Sequence, residues 1–166
     1  MRHEPRAAAR LESFGFQQVY DYVDGKADWY AWGLPMEGTA VTQLRAGQLA
    51  RPDVPTARLD EPVGAVSRRT EAAGWNTAVV VNAEQVVLGL LRPAAFGQHP
   101  AMLVEAVMEE GPSTFRPHAT LDAPRRNMER HRVGGIPVTT PDGRLVGFLR
   151  REDLDQASHA EANTSA

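Results

Sequence analysis

The apolar positions of this chain fall into two sets that share one order. Residues 77–82 and 86–91 are runs of β-branched and aliphatic residues of strand length, and residues 136–138 and 144–149 are a second such pair. Each pair follows a helical pattern. Residues 66–73 form one, stopped by Gly74; the other carries Leu121, Met128 and the stem of Arg125 on one face, with Thr120 or Asp122 as N-cap and Pro124 in its first turn. Gly134 and Gly135 are expected to stop this second helix. Each helix is preceded by a segment read as extended, residues 58–63 and residues 112–121, the latter because prolines at 112 and 117 oppose helix. Pro141, Asp142 and Gly143 form the turn between the second pair of strands, where the first pair has Ala83, Glu84 and Gln85. A last helix opens near Arg151. Between the two sets, residues 100–108 are apolar at Met102, Leu103, Ala106 and Val107, a helical spacing.

Laying residues 53–92 over residues 111–150 without a gap turns this order into a repeat. Nine pairs are identical, among them Thr56/Thr114, Arg58/Arg116, Val80/Val138, Gly89/Gly147, Leu91/Leu149 and Arg92/Arg150. Within the second copy, the stretch from Val107 (VMEEGPSTFRP) and the stretch from Ile136 to Leu154 (IPVTTPDGRLVGFLRREDL) resemble the cystathionine β-synthase (CBS) domain family. The first copy resembles it chiefly through the second. The resemblance implies an α+β fold of tandem β-α-β-β-α repeats forming a pseudo-twofold pair, the Bateman module. Repeat one would span residues 48–98, in degenerate form, repeat two residues 100–156, and a disordered tail residues 157–166.

Residues 1–40 are expected to form a helix-strand-helix extension: an alanine-rich helix over residues 7–14 ended by Gly15, a strand at residues 19–22 and a second helix after Gly25. This segment, with its GKADW and GLP, resembles the C-terminal end of a rhodanese (sulfurtransferase) domain. That family's chemistry needs a cysteine, and the sequence has none. No catalytic residue is assigned, and Trp29, Tyr30 and Trp32 are expected to pack rather than to react.

The 166 residues have a net charge of −3 and a pI near 5.9, which argues against a general attraction to nucleic acid or acidic membranes. No stretch reaches the roughly 18 apolar residues of a membrane-spanning helix, and the protein is expected to be cytoplasmic, of bacterial type. The five histidines are dispersed without ligand spacing, so no metal site is assigned. Arg125, Arg126, Arg130 and Arg132, interrupted by Glu129, read as a solvated helix face.

The resemblance implies a non-catalytic module that senses adenosine compounds such as AMP, ADP, ATP or S-adenosylmethionine. It also implies a homodimer through the helices at residues 66–73 and 123–131. At matching positions, Asp153 takes the place of the acid that bonds ribose hydroxyls, although an acid in a first helical turn also suits the helix dipole. Thr114 and Arg116 stand in the lead-in segment, and backbone at Gly135, Ile136 and Pro137 would line the base unless Ile136 and Pro137 are core. Arg150 replaces the family's hydroxyl residue, as a phosphate fork or a solvated arginine. Arg58 and Arg92 are weaker equivalents in the first repeat, where Ala95 stands in place of the acid. A ligand-independent dimeric scaffold is the competing reading.

Overall fold

In a computed structural model of the protein, the described residues are 10–19, 29 and 44–164. Of the N-terminal extension, residues 10–13 are helical and Gly15 follows at φ +91°, in keeping with the short helix expected there. Trp29 is helical, and the rest of the rhodanese-like strand and second helix, apart from Val19, lies outside the described residues.

From residue 44 the chain forms α1 (Ala46–Leu49), β1 (Thr56–Ala57), α2 (Val63–Ala72), β2 (Ala78–Val81), β3 (Val87–Leu91) and α3 (Pro93–Phe96). A 3-10 turn at Val104–Ala106 leads to β4 (Glu109–Glu110), α4 (Asp122–His131), β5 (Gly135–Thr139), β6 (Leu145–Arg150) and α5 (Arg151–Thr164). One sheet has the order β1-β2-β3-β4, with β1 parallel to β2 and the rest antiparallel; β5 and β6 form a second, antiparallel pair.

The repeat seen in the sequence governs the pairing between the halves. Arg51, ahead of the first aligned copy (residues 53–92), exchanges 2.9 Å backbone hydrogen bonds with Phe148 of β6, and Glu109, ahead of the second (residues 111–150), pairs with Leu90 of β3. These are equivalent positions in the repeat with the copies exchanged. The amides of Ala46 and Gly47 donate to the carbonyls of Ala119 and Pro117, and those of Val104 and Glu105 donate to Glu61 and Leu59. The two sheets meet at a bridge between Val86 and Arg144, equivalent positions that lie on the pseudo-twofold axis itself. Each repeat is therefore edged by the segment that precedes the other, which also covers strand edges that would otherwise be open.

Burial follows. Val66, Val80, Leu91 and Val104 pack together in the first half, and Met128, Val138, Leu149 and Ala46 do so in the second, with Val80/Val138, Leu91/Leu149 and Val104/Ala46 at equivalent positions. A third cluster of Val54, Val79, Val81, Leu90 and Phe148 fills the seam between the halves. Helices cover one face of β2 and β5 and the opposite repeat covers the other, so every residue of both strands is buried and the sequence shows runs rather than alternation.

Several local expectations are corrected. Residues 100–108 are not a helix but a run with one 3-10 turn, because the carbonyls of Met102 and Pro100 accept from the amides of Val63 and Gly64, the free donors that open α2. Val63 itself begins α2, so the extended segment there is only Thr56–Ala57. In the second repeat the lead-in strand is Glu109–Glu110, and within residues 112–121 Phe115 bridges Val138. The N-cap of α4 is Leu121, without a side-chain hydrogen bond, and the helix stops on Arg132 at φ +53° rather than on Gly134 and Gly135, the latter of which opens β5. The chain beyond residue 156 continues as helix to Thr164: once Leu154 and Ala157 are buried, each further residue costs little to add.

Four residues at two equivalent pairs of positions hold left-handed backbone: Gly74 and Arg132 after the helices, Gln85 and Gly143 in the hairpins. In each pair one copy has glycine and the other does not. Gln85→Gly should therefore raise stability by about 0.5–1 kcal/mol in urea unfolding, since an exposed side chain at positive φ carries a steric cost that glycine does not. Gly147→Ala should have the opposite sign: its Cβ would lie 2.9 Å from the Arg51 carbonyl oxygen, and a loss of about 1–3 kcal/mol is expected.

The first repeat has one staple that the second lacks. Arg69 bonds both oxygens of Glu61 and the carbonyl of Thr56, and the hydrogen bond from Arg69 holds the Glu61 carboxyl below its ordinary range. A carboxyl depressed in the folded state contributes stability above its unfolded pKa and loses it as pH falls. The unfolding midpoint should thus drop more steeply below about pH 5 for the wild type than for Glu61→Gln in a pH series of melts.

Candidate functional site

The pseudo-twofold that pairs the strands also builds a cleft. Residues 75–77 after α2 and residues 133–135 after α4 are equivalent loops, and Arg92-Pro93 and Arg150-Arg151 are equivalent strand ends; all four line one cavity of about 510 Å³. Such a volume lies within the roughly 300–1,000 Å³ of small-molecule sites. Because the two loops have diverged, the walls differ: Trp75, Asn76 and Thr77 on one side face Val133, Gly134 and Gly135 on the other. One wall is aromatic, the other largely backbone.

Arg150 is the best-anchored charge in the cleft. Its Nε and Nη2 each donate at 2.8 Å to the two carboxylate oxygens of Asp153, Nη1 reaches Glu152 at 2.5 Å, and its guanidinium carbon lies 5.3 Å from the Trp75 ring centroid. The Asp153 hydrogen bond raises the Arg150 pKa further above its already high value, so the group is a permanent cation. Trp75 meets Phe148 edge to face at 6.1 Å and has a second guanidinium, that of Arg51, 5.7 Å from its centroid. Arg51 is in turn paired with Asp53.

The expected site residues separate into three groups. Gly135, Arg150 and Arg92 do line the cleft, Arg92 with its Nε 2.5 Å from Glu109. Asp153 does not line it: only 15% of its side chain is exposed, and it stands behind Arg150, with Glu152 and Asp155 at the rim instead. Ile136 is core, 3% exposed beside Met128 and Leu149, and Pro137 is buried in β5 opposite Phe148, its carbonyl accepting from Phe115.

Thr114 is exposed and outside the cleft. Arg116 also lies outside, bonding Thr139 and the carbonyls of Thr140 and Pro141, and Arg58 reaches the Val81 carbonyl at 3.3 Å as Arg116 does that of Thr139. Both arginines close strand ends, which suits their identity across the repeat, since the bulged ends of β2 and β5 leave carbonyls to satisfy.

Sequence pattern does not single out Trp75. Alignment carries its one signal: a large aromatic falls where the second copy has Val133, directly after a helix stop.

Residues 104–160 match the family model described as CBS domain. A curated inosine-5′-monophosphate dehydrogenase of Korarchaeum cryptofilum is 28% identical over 76 residues, which are 46% of this chain and 16% of that protein. Among solved structures, the cytosolic domain of the Mg2+ channel MgtE in complex with ATP is 23% identical with a TM-score of 0.64, covering 68% of this chain and 48% of its own. CBSX2 from Arabidopsis thaliana, solved in complex with AMP, is 15% identical with a TM-score of 0.66, covering 72% and 99%. The chain thus spans about a sixth of the dehydrogenase and about half of the MgtE domain. The fold is that of a pair of CBS domains, mixed α and β, in which the second repeat carries the family's sequence pattern and the first follows it by symmetry. Among the described residues no helix is long and apolar enough to cross a membrane.

Replacing Arg150 by Ala would leave the shielded Asp153 carboxylate without its two donors and Trp75 without one of its cations. A loss of about 1–3 kcal/mol is expected in denaturant unfolding. Asp153→Ala together with Arg150→Ala should cost less than the sum of the two single changes.

Proposed function

We propose that this chain is a regulatory module that binds an adenosine compound of the AMP, ADP, ATP or S-adenosylmethionine class in the cleft on its pseudo-twofold axis. The observation that carries the reading is the cleft itself: a cavity of about 510 Å³ joining backbone at Gly134 and Gly135, an aromatic wall at Trp75 and the guanidinium of Arg150. Solved neighbours of the same fold were obtained with AMP and with ATP, which supports an adenosine ligand here. Backbone amides and carbonyls can read a purine edge without charged side chains, while Arg150 offers a planar fork to phosphate. Asp153 acts on the ligand through Arg150, and its remaining lone pairs are available to ribose hydroxyls if the arginine turns toward phosphate.

In this reading the module has no catalytic role, and residues 1–40 are a packing extension, since the chain holds no cysteine for sulfurtransferase chemistry. It acts as a homodimer through α2 and α4.

Two observations favour a second reading, a ligand-independent dimeric scaffold. Arg150 and Asp153 already satisfy each other, and Ala95, in the acid's place in the first repeat, is 9% exposed and part of the core.

Thermal unfolding with millimolar AMP, ADP, ATP and S-adenosylmethionine separates the two. A ligand at ten times its Kd should stabilise the protein by about 1.4 kcal/mol and raise the midpoint by about 3–5 °C, with the rise lost in Arg150→Ala and in Asp153→Ala. No shift with any of the four, together with an unchanged oligomer by light scattering, would favour the scaffold.

A further inference from the structure

The cleft continues. A second, more open cavity of about 420 Å³ is lined by Glu129, Arg132, Val133, Gly134 and Arg151, and all but Glu129 also line the first. The two cavities form one groove that passes over Gly134 between Arg132 and Arg151. Arg151 is anchored, its Nη2 donating to the carbonyls of Met128 in the last turn of α4 and of Val133 just beyond it.

Arg132 differs from the other arginines of the groove. Arg92 is matched by Glu109 and Arg150 by Glu152 and Asp153, whereas the Arg132 side chain makes no hydrogen bond or ion pair among the described residues. It is exposed, and its backbone occupies the left-handed conformation that the equivalent Gly74 adopts without steric cost. An uncompensated cation therefore stands on strained backbone at the point where the two cavities join.

Resting on the adenosine reading above, we infer that the groove takes a nucleoside polyphosphate, whose phosphate chain runs from Arg150 over Gly134 to Arg132 and Arg151, and that it discriminates against S-adenosylmethionine. The main cleft holds the nucleoside and first phosphate; the second cavity has room for further phosphates beside guanidiniums whose planar forks suit them. A sulfonium nucleoside would bring positive charge beside Arg132 and Arg151, the two groove arginines that make no ion pair with an acid among the described residues. Because Arg132 is exposed, its contribution must weaken with added salt.

Isothermal titration of the whole protein with adenosine, AMP, ADP, ATP and S-adenosylmethionine tests this at low and at moderate salt. ADP and ATP should bind at least about tenfold more tightly than AMP, S-adenosylmethionine should bind more weakly than adenosine, and salt should reduce ATP affinity more than AMP affinity. Arg132→Gly gives readouts of opposite sign: the unfolding midpoint should rise as the left-handed position is relieved, while ATP affinity falls about tenfold and AMP affinity changes less than about twofold. Arg132→Gln should lose the same affinity without the rise in midpoint. Equal affinity for AMP and ATP, tight binding of S-adenosylmethionine, or an ATP affinity unmoved in both variants would overturn the inference and leave the adenosine reading standing. Absence of binding by all five ligands to the wild type would overturn the adenosine reading, and the inference with it.

Discussion

Everything in this fold depends on an exchange of backbone edges. The segment ahead of each repeat does not complete its own sheet; Arg51 bonds Phe148 of β6 and Glu109 pairs with Leu90 of β3. For those edges to close, the lead-in backbone must pass directly over the middle of the opposite repeat's last strand. A side chain there would collide. At Gly147 an added Cβ would meet the Arg51 carbonyl at 2.9 Å, and at Gly89 it would meet the Met108 sulfur at 2.7 Å and the Glu109 carbonyl at 2.8 Å. This is why glycine is one of the few identities shared by the two copies, and why neither repeat is complete without the other.

The same exchange produces the site. Two hairpins joined at Val86 and Arg144, each edged by the other's lead-in, bring the loops after α2 and α4 and the ends of β3 and β6 around a single cavity. With both copies identical the cavity would be symmetric. Divergence has instead placed an aromatic ring on one wall at Trp75 and bare backbone on the other at Gly134 and Gly135, with Arg92 and Arg150 retained at equivalent strand ends. The two retained arginines are treated differently by their surroundings: Arg150 has an acid three residues on, in the helix that follows its strand, whereas Ala95 leaves Arg92 to find Glu109 on β4.

The positions that bear left-handed backbone tell a related story of tolerance. Gly74 and Gly143 meet the requirement with glycine, Arg132 and Gln85 meet it with side chains, and the fold holds in both cases because neighbouring hydrogen bonds fix the backbone. After α2, Trp75 donates to Thr70; after α4, Val133 donates to Met128, so the chain is locked on both sides of each residue. Strain of this size is small against the burial of two β-hairpins and the seam between them.

The repeat, its offset, the order of strands and helices within each copy and the α+β pairing of the two are all legible in the amino-acid order. They are encoded locally, in runs of valine and leucine, glycine stops and turn residues, and alignment of the two copies alone makes Gly89 equivalent to Gly147 and Arg58 to Arg116. Which backbone bonds which across the copies is settled only when the halves pack. The segment at residues 100–108 has the apolar spacing of a helix, yet its carbonyls are needed by the amides of Val63 and Gly64, a demand that periodicity does not carry. In the same way Arg58 and Arg116 are legible as shared but not as strand-end ties, Asp153 as an acid but not as the anchor behind Arg150, and Trp75 only as an aromatic opposite Val133, not as a wall of the cleft. Side-chain roles of this kind depend on which distant backbone lies within hydrogen-bonding or ring-contact distance, and that is fixed by the packing of one repeat on the other rather than by either repeat's own residues.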